Sequence, residues 1–439
     1  MKKCIFLLSM VAAGIFAAGC SEKVVPPVNI TIQLQREAGD ALTFAVPDVT
    51  VELTDALGSV TLESKTDASG KAAFTVTPGA YMASTTYVTA EGGLRLTYTG
   101  ESLVMVTDAT TSAFKLNLHE VASRQLVIKE VYSTGCPKEP SGNYSDDAYI
   151  ILYNNSDVEA DATDIVFGML FPYNAQGNNK YYDESGKLIY EEENWIPAAS
   201  ALWSFSSEVK IPAYSQIVVA LFGAIDHTAV QPASVDLSNS SYYWMAKNDQ
   251  YNAKKYQVVD GFPTSHYMSC KPFNKGNAWL FSNSAPSLFI GRMSKAEAEA
   301  LATDTEGYDT TQGTGDVNQA VKFPQDLVWG CVEVYKASSV DTSKPRFPKS
   351  LNTGYIAVTN GLGYSVYRNV DKEATEALPE NEGKLVYGYS MGTADVEGST
   401  DPSGIDAEAS IANGAHIIYA QTDNSEKDFH QRKQASLKK

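Results

Sequence analysis

The chain has 439 residues, a formal charge of −18 and 20% charged residues. That length is more than one hydrophobic core fills, so two or three domains are expected. The acidity argues against recognition of nucleic-acid phosphates, which needs basic patches, and 25 tyrosines among many polar turn residues favour strands over helical bundles.

The N-terminus has the layout of an export signal. Met1-Lys2-Lys3 is positive, Cys4 to Phe16 is apolar, and Ala17-Ala18-Gly19 supplies small residues immediately before Cys20. The apolar run is short of the roughly 20 residues that span a bilayer as a helix. A cysteine directly after the small residues is the acceptor in bacterial lipoprotein processing, so cleavage before Cys20 and lipidation there are expected. Ala17 stands where the lipobox usually has leucine. The predicted segments are a signal over 1–19 and a lipidated tether over 20–27. Loss of Lys2 and Lys3 would take the charge from −18 to −20. Glu22, a single acidic residue after the cysteine, resembles the acidic residues that Bacteroidetes surface lipoproteins often carry there, and that resemblance implies the cell surface over the periplasmic face of the outer membrane.

Residues 28–120 read as the first folded domain. Val28 to Leu34 and Val49 to Leu53 alternate with period two, as half-buried strands do. Asp67-Ala68-Ser69-Gly70 forms a turn in which glycine takes positive φ without a Cβ clash. The chain returns through Phe74 and Val76, turns at Pro78-Gly79 and continues through Tyr81. Thr66 to Gly70, Phe74 and Pro78 to Tyr81 together resemble the transthyretin-like or carboxypeptidase-regulatory-like β-sandwich. The resemblance implies a spacer or docking module without catalytic groups.

Residues 121–439 read as a second, larger β domain. Leu126 to Tyr132 and Tyr149 to Asn155 read as strands and Lys210 to Ala220 as a turn and a buried strand, with Gly363 to Arg368 and Thr422 to Phe429 following near the end. Ile128-Lys129-Glu130-Val131-Tyr132 and Tyr149 to Asn155 resemble the opening strands of the lamin-tail domain, an immunoglobulin-like sandwich. Ile151 stands where that family usually has an acidic residue. Segments from about Pro172 to Trp203 and from about Val235 to Asp326 read as long insertions. Helix is sparse, the best candidate being Ser294 to Ala302 with capping-box spacing between Ser294 and Glu297. The fold class is therefore all-β, a small sandwich followed by a larger one with insertions.

The order of lipobox, transthyretin-like domain and Glu130 to Pro137 with the lamin-tail-like strands resembles a Bacteroidetes lipoprotein family. Its members accompany TonB-dependent receptors, including xenosiderophore-type systems. The resemblance implies an outer-membrane-anchored accessory or binding lipoprotein, a TonB-dependent receptor as partner and a companion surface lipoprotein.

The residue types that carry chemistry support binding over catalysis. His119, His227, His266, His416 and His430 are scattered, without metal-ligand spacing. There is no Gly-x-Ser-x-Gly elbow and no His-Glu-x-x-His pair. No enzyme activity, metal, cofactor or nucleic-acid partner is expected. Cys136, Cys270 and Cys331 allow one disulfide and one thiol, or three thiols; spacing does not decide. Aromatics are dense in the insertions, and Tyr242-Tyr243-Trp244 is the expected ligand-contact run, because three adjacent side chains on one strand cannot all face inward. Two other readings stay open, a surface adhesin or glycan-binding module and a glycan-active hydrolase.

Overall fold

The computed structural model describes residues 25–36, 43–107, 113–246, 252–273 and 281–439. The signal segment, Cys20 and Glu22 lie outside the described residues. The chain divides into two compact units, Met1–Val88 with Thr97–Val121 and Thr89–Leu96 with Ala122–Lys439.

The smaller unit is built on a seven-stranded sheet of β1 (Val28–Arg36), β2 (Thr50–Asp55), β3 (Thr61–Lys65), β4 (Lys71–Val76), β5 (Gly79–Glu91), β6 (Leu94–Val106) and β7 (Ala113–Arg124). Its order is β3-β2-β5-β6-β7-β1-β4. β1 pairs antiparallel with β4, Ile30 opposite Phe74, and parallel with β7, Leu34 opposite Leu116. Ala72, Phe74 and Val76 are buried while Lys71, Ala73 and Thr75 are exposed, the period-two pattern of a strand covered on one face. β3 and β4 are the end strands of the sheet, yet residues 66–70 alone join them. So short a link, at about 3.3–3.6 Å per residue, requires the sheet to curl until its edges approach. The link is tightened by Asp67, whose Oδ1 accepts from Ser69 N and Oγ at 2.7 Å each and from Lys71 N at 3.1 Å. Gly70 sits at φ +74°, and a Cβ there would stand 1.9 Å from the Phe44 carbonyl oxygen.

The larger unit contains two six-stranded sheets. In chain order their strands are β8 (Leu126–Tyr132), β9 (Tyr149–Asn154), β10 (Ile165–Met169), β11 (Ala201–Ser204), β12 (Gln216–Ala220), β13 (Tyr243–Trp244), β14 (Ser269–Pro272), β15 (Ser287–Arg292), β16 (Val328–Lys336), β17 (Ile356–Val358), β18 (Ser365–Arg368) and β19 (Phe429–Arg432). The first sheet runs β13-β12-β9-β8-β18-β19 and the second β14-β11-β10-β15-β16-β17. Ile128, Ile151 and Val219 of the first share one apolar core with Phe167, Phe289 and Val332 of the second. A separate cluster of Val127, Tyr153, Tyr367, Ile405, Ile417 and Tyr419 covers another part of the first sheet. Contact on both sides explains why β8 and β9 are buried at every position.

The structure corrects one expectation. The segments read as insertions supply β11, β14 and β15, and β15 lies inside the second sheet between β10 and β16. Ser287-Leu288-Phe289-Ile290-Gly291 is buried throughout, so it carries no alternation by which to recognise a strand. The expected helix is present as α1 (Lys295–Thr303), with Ser294 and Glu297 forming a reciprocal capping box. Cys136, Cys270 and Cys331 form no disulfide with one another.

A buried ion pair anchors the second sheet. Glu333 and Arg346 have no side-chain exposure, and Arg346 Nη2 donates to Glu333 Oε1 at 2.6 Å. Arg346 also donates to the carbonyls of Pro172 at 2.8 Å and Ala285 at 2.9 Å. One guanidinium thereby ties two distant segments to β16.

Candidate binding cleft

A cleft of about 540 Å3 opens in the larger unit. Its lining comes from separate stretches: Arg95, Arg124, Asn155, Tyr214, Asp371 and Gln421 are the residues with most to offer a ligand. Arg95 sits at the start of β6 and makes a two-pronged pair with Asp157, Nε to Oδ1 at 2.7 Å and Nη2 to Oδ2 at 2.8 Å. Arg124 makes a second such pair with Asp423 at 3.0 Å for both bonds, and Arg124 Nη1 also donates to the Trp329 carbonyl at 2.8 Å. The planar fork of a guanidinium matches a carboxylate in this way and loses little freedom on pairing.

Amides continue the lining. Gln421 Nε2 donates to the Arg124 carbonyl at 3.0 Å. Asn155 exchanges two bonds with the Tyr419 backbone, Nδ2 to O at 2.9 Å and Tyr419 N to Oδ1 at 2.7 Å. Asp371 caps the short helix α2 (Lys372–Glu376), its Oδ1 accepting from Ala374 N at 3.0 Å. Tyr214, at φ +52°, lies half-buried with its ring stacked on His416, centroids 4.4 Å apart and planes at 20°.

The electrostatics are those of a paired surface. Hydrogen bonding to Asp157 outweighs the desolvation of Arg95 and raises its pKa, while the same contact lowers Asp157. Burial, followed by the charge of Asp157, pushes the Tyr214 phenol up to about 12. Each arginine in the lining is matched by a carboxylate, so the cleft offers fixed in-plane donors and acceptors rather than net positive charge. That chemistry suits a neutral hydroxyl- or amide-rich ligand, with Tyr214 as the aromatic face. Among the described residues no group of three or more His, Cys, Asp or Glu is placed to hold a metal ion.

Tyr242, Tyr243 and Trp244 lie elsewhere; none of them lines the cleft. Trp244 is 3% exposed and its indole N–H donates to the Phe222 carbonyl, so this ring is part of the core and is not presented to solvent. Tyr242 and Tyr243 are half-buried, and Tyr243 stacks on His266 with centroids 4.5 Å apart. Tyr181, Tyr190, Trp203 and Phe205 are all buried. The cleft residues carried no signal in the sequence, since they are single polar side chains from six separated stretches.

Residues 214–403 match the family model described as protein of unknown function (DUF4876). The crystal structure of a DUF4876 family protein from Bacteroides thetaiotaomicron is similar over 92% of this chain and 95% of that one, with 18% identity and a TM-score of 0.57. Two further solved structures align with a TM-score of 0.17 each. One is described as a candidate carbohydrate binding protein from Pseudomonas aeruginosa, with 19% identity over 21% of this chain and 88% of that one. The other is described as a candidate adhesin from Bacteroides ovatus, with 9% identity over 34% and 57%. No curated protein matches the chain. The chain thus carries a DUF4876 match over residues 214–403 within a fold similar to that of the Bacteroides thetaiotaomicron protein.

Proposed function

We propose that this protein is a non-enzymatic binding lipoprotein, anchored through Cys20 to the outer membrane and serving a TonB-dependent nutrient uptake system. The observation that carries the binding role is the Arg95–Asp157 and Arg124–Asp423 frame around Tyr214, in which each carboxylate is held by a guanidinium. Groups fixed in this way favour recognition over proton transfer, because a general base must be available to accept a proton. The anchor rests on Ala17-Ala18-Gly19-Cys20. The smaller unit, resembling a transthyretin-like sandwich, acts as spacer or docking module, and the larger unit meets the ligand or the receptor. Among the described residues no helix is long and apolar enough to cross a membrane.

A second reading, a surface glycan-binding module without a transporter, is favoured by the charge-paired, hydroxyl-compatible lining of the cleft. Fractionation of cells expressing wild type and Cys20→Ser tests the anchor. Wild type is expected with the outer membrane, and the variant in soluble fractions. A variant that stays membrane-bound at wild-type level contradicts lipid anchoring at Cys20.

A further inference from the structure

The binding cleft leaves unused a buried amine with two reactive partners. Lys129 sits on β8 where pairing with β9 slips: Glu130 faces Ile151, Ile128 faces Leu152, and Lys129 is the extra residue of the bulge. Its side chain is 1% exposed. The ammonium lies 5.7 Å from the ring centre of Tyr153, 5.6 Å from that of Tyr367 and 5.7 Å from that of Tyr419. Within this ring of phenols Lys129 Nζ is 2.7 Å from Gln216 Oε1 and 2.8 Å from Glu408 Oε1. Tyr367 Oη donates to the same Glu408 oxygen at 2.6 Å and meets Tyr419 Oη at 3.0 Å. An amine, a carboxamide and a carboxylate thus converge in a pocket walled by aromatic rings. Glu408 and Gln216 each accept from the same ammonium, which holds the carboxamide against the amine.

We propose that Lys129 and Gln216 become joined by an intramolecular isopeptide bond, with Glu408 carrying the proton. Glu408 takes a proton from the Lys129 ammonium. The free amine attacks Gln216 Cδ and forms the new N–C bond. The tetrahedral intermediate collapses as Glu408 returns the proton to the departing nitrogen and the old C–N bond breaks; the attacking nitrogen then gives up its second proton through Glu408 to the released ammonia, which leaves as ammonium. Atoms balance, and no oxidant or reductant is needed. Burial raises the Glu408 carboxyl, but the Lys129 charge more than offsets this, so the acid rests ionised and able to accept the proton. Gln216 is an exposed residue at the start of β12, which gives ammonia a route to solvent. The product replaces a buried ammonium with a neutral amide, removing the desolvation cost of that charge. It also links β8 to β12 across the intervening β9, a covalent brace suited to a protein working outside the cell.

The test is a tryptic peptide map of the folded full-length chain by mass spectrometry. Trypsin does not cut after an acylated lysine. The expected result is a branched peptide containing Lys129 and Gln216, lighter than its two parts by one ammonia. Gln216→Ala and Glu408→Gln are each expected to lose the branched peptide and restore cleavage after Lys129. Recovery from the wild-type chain of linear peptides cut after Lys129, with Gln216 unmodified, overturns the proposal. A branch lighter by one water and containing Glu408 in place of Gln216 also overturns it. The wild-type map alone separates these outcomes, so a variant that fails to fold does not blunt the test.

Discussion

The two units solve the same problem, burying one strand against another, in opposite ways. In the smaller unit β4 alternates buried and exposed residues. In the larger, β8, β9, β10 and β18 are buried at every position. A strand covered on one face advertises itself by alternation, while a strand covered on both reads only as a short apolar run. Full burial also forces polar groups inward, and each then needs a dedicated partner. The larger unit accordingly holds the Glu333–Arg346 pair, the Lys129 cage and His430.

The largest expected contrast comes from breaking such a partnership. Arg346→Met would leave Glu333 buried without its counter-charge, at a cost of about 3–5 kcal/mol. Every tryptophan lies at or beyond Trp195, in the larger unit, so tryptophan fluorescence in urea reads that unit alone. A shift in midpoint no larger than that of a surface substitution would show that the pair does not hold the sheet. In the smaller unit the strongest lever is an inward alternation position. Leu53→Ala should cost about 2–5 kcal/mol, while the outward Thr75→Ala stays within about 0.5 kcal/mol. Hydrogen exchange across residues 28–121 reads both, and equal effects would break the one-sided description of this sheet.

Acid should weaken the larger unit through His430. Its Nδ1 lies 2.7 Å from Asn369 Oδ1, which can only accept, so the proton sits on Nδ1 and Nε2 accepts from the Tyr389 hydroxyl. Burial, with Arg432 nearby, pushes His430 down from 6.5 to about 3. The unfolded chain therefore binds a proton below pH 6.5 that the native state refuses, and stability falls as pH drops from 6.5 towards 3. At pH 5 this amounts to about 2 kcal/mol. Burial raises Asp147 and Asp401, which act in the opposite sense. The difference between wild type and His430→Gln isolates the histidine, and an identical pH slope in both would refute the assignment.

The smallest contrast uses a turn that occurs in both units. Asp183-Glu184-Ser185-Gly186-Lys187 repeats the pattern of Asp67 to Lys71, with Asp183 Oδ1 accepting from Ser185 N at 2.9 Å and Lys187 N at 3.0 Å. Gly186 has φ +81° but open space around it, so Gly186→Ala should cost about 1 kcal/mol from backbone strain alone. Gly70→Ala meets the same strain and the Phe44 carbonyl as well, and should cost more by thermal denaturation. Equal costs would mean that the carbonyl yields freely.

Much of the fold was legible for these same reasons. Alternation marked β1 and β2, the Asp-x-Ser-Gly turn marked the bend after β3 and the return through Phe74 and Val76 in β4, and Ser294 with Glu297 marked α1. β11, β14 and β15 were read as insertion because short, buried strands among long loops carry no period. The aromatic density of those segments is mostly packing: Tyr181 Oη donates to Asp309 at 2.7 Å and Tyr190 Oη to the Arg346 carbonyl at 2.6 Å. Trp244 belongs with them. The cleft was not legible at all, because Arg95, Arg124, Tyr214 and Gln421 are neighbours only in space.

Capture of partners from solubilised outer membranes tests the central claim, that the cleft of the larger unit does the binding. The bait is the full-length chain, compared with Tyr214→Ala/Gln421→Ala and, separately, with Tyr242→Ala/Tyr243→Ala, each verified as folded by fluorescence. The account predicts that wild type retains a TonB-dependent receptor or its glycan-bearing cargo, and that the cleft variant loses at least most of it. Equal capture by wild type and the cleft variant, with loss confined to the Tyr242/Tyr243 variant, would move the binding surface to that tyrosine face and contradict the account.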